Sequence, residues 1–189
     1  SPCSNRKKAA VEPGMYAAGL ISGSVDDVAR QWNASLSTAS RPYKIGSLYG
    51  GRAFTEAALA AKSAKMEHYI VSAGLGLIGP DDWIPAYAMT TVGSTDENVL
   101  KKCPNNTTAA GWWKAALNPG VLGDLIAKTN ERVFLALPSV YLEMVQDELL
   151  ALPDHALPKI RIFTGGRETL KGSLLEEYVM PYDTRLDGP

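Results

Sequence analysis

Three short runs of β-branched and apolar residues, at 68–71, 132–137 and 159–163, each lead into Gly, Ser or Pro, and helical stretches separate them. A run that is apolar on both faces suits a strand covered on both sides, and strands joined through helices pair in parallel. The helical stretches are 24–38, opened by Ser24 with Asp26 and Asp27 in its first turn, the Ala-rich 54–64, 121–129 and 141–150. This alternation predicts an α/β fold of three layers, a short and mostly parallel central sheet with helices on both faces. Residues 79–119 break the pattern with many Pro, Thr, Asn and Gly, and predict a long loop excursion carrying one short helix near 109–117.

The 189 residues, 46% hydrophobic and 21% charged, suffice for one core, so a single domain spanning 1–189 is expected. A net charge of −1 excludes polyanion binding by bulk attraction, and a nucleic-acid partner would need a local basic patch. Two cysteines, Cys3 and Cys103, are too few for a disulfide scaffold and point to a reducing, cytoplasmic setting. No run approaches the ~20 apolar residues of a membrane span, so neither membrane nor signal segment is expected. Loop residues begin at position 1 and a turn signal closes the chain at Asp187-Gly188-Pro189, which leads us to expect residues missing from both ends.

Three segments carry candidate chemistry. The first, Pro2-Cys3-Ser4-Asn5-Arg6-Lys7-Lys8, reads either as a solvated tail or as a strand-end loop offering Asn5 and its cations to a phosphate or base. In Leu48-Tyr49-Gly50-Gly51-Arg52-Ala53-Phe54, a glycine pair opens a helix whose free N–H groups suit an anion, although a turn with a solvated Arg52 explains it equally. The third runs from Ile70 through Val71-Ser72-Ala73-Gly74-Leu75-Gly76 to Asp82, a strand passing straight into a small-residue loop. It lacks both the dinucleotide fingerprint and the lysine of a phosphate-cradling loop. Its polar groups Ser72, Asp81 and Asp82, with Tyr87 beyond, could line a pocket for a base or small molecule. Either aspartate could instead cap the next turn.

The two histidines and two cysteines lack zinc spacings, so neither metal nor cofactor is expected, and no nucleophile motif accompanies His68 or His155. Trp112 and Trp113 are adjacent on a helix and point to different faces, with core packing of both the commoner outcome.

In this order, the Cys-Ser-x-x-Lys loop at Cys3 to Lys7, the Leu-Tyr-x-Gly-x-x-Phe turn at Leu48 to Phe54, and the strand-loop Ser72-Ala73-Gly74-Leu75-Gly76-Leu77-Ile78-Gly79-Pro80-Asp81 that leads to Tyr87 resemble a family of bacterial and phage proteins related to the peroxide-stress protein YaaA and the core domain of archaeosine synthase. The resemblance covers roughly the first half of the chain. It implies a fold similar to the uracil-DNA glycosylase superfamily, and an enzyme that excises a modified base from DNA, such as a hypermodified phage pyrimidine, in antiviral defence. Base excision requires a flipped nucleotide, a positioned water and cations at the departing base and phosphates. On this resemblance Asn5, Asp81 and Asp82 would position water. Arg6, Lys7 and Arg52 would hold phosphates, Tyr87 or Trp83 would stack on the base, and Cys3, Ser4, Tyr49, Gly51, Ser72 and Gly74 would complete the pocket. The extra glycines of Ala73-Gly74-Leu75-Gly76 would widen it. The relatives also suggest a 7-deazaguanine-modifying transferase, or a DNA-binding stress protein with no catalysis.

Overall fold

A computed structural model of the chain describes residues 1–3, 6–117, 119–165 and 170–180. The chain is mixed helix and sheet and divides into two compact units, Ser1–Asn118 and Pro119–Pro189.

In the first unit, helix α1 (Val25–Thr38) starts where its sequence says it must: Ser24 Oγ accepts the Asp27 N–H, and Asp26 and Asp27 face the positive end of the helix dipole. Its buried residues Val28, Ala29 and Trp32 form one stripe at helical spacing. A short strand β1 (Tyr43–Lys44) runs into the single-turn helix α2 (Ile45–Leu48), and Gly51 then leads into α3 (Arg52–Ser63). Strands β2 (Ile70–Ser72) and β3 (Gly76–Ile78) form an antiparallel hairpin in register Ile70↔Ile78 and Ser72↔Gly76. Strand β4 (Trp83–Ile84) pairs antiparallel with β1, and α4 (Ala109–Ala116) packs on α1 with both Trp112 and Trp113 buried.

The first residues extend this framework as a stub of strand. Ser1 O accepts the Val71 N–H and the Cys3 N–H donates to Val71 O, both at 2.8 Å, so Pro2 lies parallel to β2. The chain then crosses to the segment before α3, where Lys8 N–H donates to Leu48 O and Gly50 N–H to Arg6 O.

The second unit holds a parallel strand pair. Helix α5 (Val121–Lys128) precedes β5 (Val133–Ala136), helix α6 (Ser139–Leu150) crosses over, and β6 (Ile160–Phe163) pairs parallel with β5. The buried Ile160 and Ile162 alternate with half-buried neighbours, the period of a strand.

The three predicted strands and five predicted helices thus form within a few residues of their expected limits. The sheet differs. Among the described residues the named strands make three two-stranded pairs, two of them antiparallel, in place of one mostly parallel sheet. The cause lies in 70–78, which is apolar but for Ser72 and turns back on itself through Ala73, Gly74 and Leu75. Gly76 closes that turn at φ +75°, where a Cβ would stand 2.9 Å from Leu117 O.

Nor do the glycines widen a pocket. A Cβ on Gly74 would lie 2.7 Å from Tyr87 Cε2 and 3.2 Å from Trp32 Cζ2, so two aromatic rings already fill the space it leaves. Gly74→Ala should therefore lower stability by about 2 kcal/mol through overpacking. Gly46→Ala, where a Cβ meets nothing within 4 Å, should stay within about 0.5 kcal/mol. Urea denaturation of the two variants tests the difference, and equal midpoints would refute the packing assigned to Gly74.

Candidate functional site

The turn between β2 and β3 is buried, and its peptide groups need partners that water cannot supply. Ser72 Oγ accepts the N–H groups of Gly74 (3.2 Å) and Leu75 (3.1 Å). The carbonyls of Ala73 and Gly74 accept the indole N–H groups of Trp112 (2.8 Å) and Trp32 (2.6 Å).

With both lone pairs of Ser72 Oγ occupied by peptide donors, its one hydrogen goes to Tyr87 Oη at 2.6 Å. Tyr87 Oη lies in turn 2.8 Å from Tyr49 Oη, and all three side chains are fully buried. Burial drives both phenols well above their ordinary value of 10.0, with the negative charge that a Cys3 thiolate would carry as a further cause. Both therefore stay protonated at any physiological pH.

Lys7 lies over this aromatic floor. Its Nζ is 4.2 Å from the Tyr87 ring centroid and 5.9 Å from that of Tyr49, close enough for the ring faces to attract the cation. Its backbone forms an isolated antiparallel bridge with Tyr49. Burial nevertheless lowers the Lys7 pKa from 10.5, opposed by the smaller effects of Cys3 and Glu97. The result is an oriented, partly desolvated amine above two neutral phenols, with the buried Cys3 beside it. Such a group can hold an anion or give up a proton more readily than a solvated lysine.

Cys3, Lys7, Tyr49, Ser72, Gly74 and Tyr87 thus come together from three distant segments. Arg52, Asp81, Asp82 and Trp83 have other partners. Arg52 is almost fully exposed and its Nε donates to Glu56 at 2.7 Å, so a carboxylate of its own helix answers it. Gly51 caps that helix without a side chain, and the Arg6 side chain is exposed. The fully exposed Asp81 carboxylate lies 3.3 Å from Lys44 Nζ. Asp82 accepts the Gly79 N–H at 2.7 Å, the turn-capping role that was its alternative in the sequence. Trp83, 55% exposed, takes Lys44 Nζ against its ring at 5.2 Å. Ser4 and Asn5 lie outside the described residues.

Asp82 and Trp83 line a cleft of about 410 Å³ that shares no lining residue with the Lys7 cluster. Arg41 and Asn33, which also line it, carry no signal in the sequence beyond lying in and just after a helix. Among the described residues no group of three or more His, Cys, Asp and Glu is placed to hold a metal, and no helix is long and apolar enough to cross a membrane. No family model matches the chain, and no curated protein or solved structure is detectably similar to it.

The lowered Lys7 pKa has a measurable consequence. Below the lowered value the amine is charged in both folded and unfolded chains, and the folded state bears the full cost of burying it. As pH rises towards 10.5 the folded amine sheds its proton first and that cost shrinks. The stability of Lys7→Met relative to wild type should therefore be most favourable at neutral pH and decline towards pH 10. Denaturation at a series of pH values checks this, and a flat difference would contradict the lowering.

Proposed function

We propose that this chain is a DNA glycosylase-type enzyme that removes a modified nucleobase, as the resemblance implies. The reading rests on the Lys7 amine held over Tyr87 where three motif segments meet. Excision breaks the bond from C1′ to the base nitrogen, the electron pair leaves with the base, and water adds to C1′. A departing base is easier to expel when a cation neutralises it or a proton reaches it. A partly desolvated lysine ammonium supplies both, because its lowered pKa makes it a stronger acid than a solvated one.

Asn5, two positions before Lys7, keeps the water-positioning role assigned by resemblance. Asp81 and Asp82 are given no part in the reaction, since one is a solvated partner of Lys44 and the other holds a turn. The substrate to try first is a hypermodified pyrimidine of phage DNA, glucosylated hydroxymethylcytosine, which would make the protein a defence enzyme acting on DNA in the cytoplasm.

Purified protein incubated with such DNA should release the free modified base and leave alkali-sensitive abasic sites, read by mass spectrometry and strand cleavage. Unmodified DNA should stay intact. Lys7→Gln should lose activity on the order of 100-fold with DNA binding largely kept. Wild-type turnover should fall as pH rises past the lowered Lys7 value, where the proton is gone. Intact DNA in every arm, or a fully active Lys7→Gln, overturns the reading.

A further inference from the structure

The cleft in the first unit takes no part in that chemistry, yet it has the makings of a ligand site. Its volume of about 410 Å³ falls in the range of small-molecule pockets. Half-buried Leu36, Leu75 and Leu77 give it apolar walls, and the exposed indole of Trp83 stands at its edge. Asn33, in the second half of α1, and Arg41, after it, bring polar groups to the same cleft.

The charges there are unevenly used. The Asp82 carboxylate, also in the cleft, is taken up by the Gly79 N–H, and Asp81 is paired with Lys44. The Arg41 guanidinium is exposed and, among the described residues, has no carboxylate within 4.0 Å. An aromatic face, aliphatic walls and one cation without an ion pair together fit a flat ring that carries a single anionic group.

We propose that this cleft binds a nucleotide unit, its base against Trp83 and the leucines, its phosphate on Arg41, and Asn33 within reach of the base edge. The choice of a nucleotide over other anionic aromatics rests on the glycosylase reading. Base stacking on an exposed aromatic tolerates any sequence, and an arginine suits phosphate. The unit is either a free mononucleotide or a nucleotide of a single strand beside the one being excised.

Trp83 reports on its own occupancy. Trp32, Trp112 and Trp113 are buried to 2% exposure or less, so the emission that acrylamide can quench comes from Trp83. Deoxynucleoside monophosphates and, separately, an octamer of thymidylate are titrated into the full chain. Saturable shielding of Trp83 by either supports the proposal. Shielding by both assigns the site to free nucleotides, and shielding by the octamer alone assigns it to a strand.

Arg41→Gln, an exposed change that should leave the fold intact, should weaken the octamer's apparent affinity about tenfold, the value of one charge-assisted contact. Calorimetry with Trp83→Ala should show a comparable loss. No shielding by millimolar mononucleotide or by the octamer overturns the proposal, as does shielding that Arg41→Gln leaves unchanged. Base release by wild type without shielding removes this inference and spares the glycosylase reading; shielding with no base ever released does the reverse.

Discussion

The buried turn at Ala73, Gly74 and Leu75 sets the terms for the rest of the first unit. Four of its peptide groups are drawn out of water, those of Ala73 and Gly74 fully and that of Leu75 in part, and a buried one left unpaired would cost about 1–3 kcal/mol. Ser72 answers two from within the hairpin, and Trp32 and Trp112 answer the other two from α1 and α4. Two helices are thereby fixed at one point by directional bonds as well as by apolar packing. Gly74 completes the arrangement, since any larger residue would push Tyr87 and Trp32 out of the contacts that close the turn.

The same turn governs the Lys7 amine. Ser72 spends its lone pairs on the turn and so must donate to Tyr87, which fixes the position of that phenol and, through it, of Tyr49. Both rings then present their faces beneath Lys7. Opposed effects meet at the amine: loss of solvent disfavours its charge, and negative charge at Cys3 and Glu97 favours it. Desolvation is the larger, so the pKa falls. A lysine held this way is more acidic than a solvated one because of its burial, and the rings orient it.

Much of the framework was legible because the relevant signals are local. Ser24 followed by Asp26 and Asp27 marks the start of α1 through capping alone, and the β-branched runs mark β2, β5 and β6 wherever they end up pairing. Strand partners are another matter. Residues 70–78 are apolar at nearly every position, so no alternation separates a strand that continues into a loop from one that folds back, and the sequence reads as a strand entering a small-residue loop where the chain returns as a second strand. The site was legible in part for a similar reason. Cys3, Lys7, Tyr49, Ser72 and Tyr87 belong to quoted motifs, but the division between the Lys7 cluster and the cleft depends on which way each side chain points. Asp82 and Trp83 sit in the same segment as Ser72 and Gly74 and still leave for the other locus. Arg41 could not be singled out, because an exposed arginine after a helix is unremarkable until the cleft beside it is known.

The hairpin gives that division a simple geometry. The division falls at the turn, with Leu75, Leu77 and Ile78 on the cleft. Ser72 and Gly74 meet Tyr87, whereas Leu75 and Leu77 line the cleft. The hairpin therefore contributes to both loci, with its turn clamped by two indoles. A ligand pressing on Leu75 would push against a residue whose own N–H is held by Ser72, the first hydroxyl in the chain leading to the floor under Lys7. Close packing transmits small displacements instead of absorbing them. Leu75, on the cleft side, and the Tyr87 phenol under Lys7 thus share one hydrogen-bonding partner, the Ser72 hydroxyl.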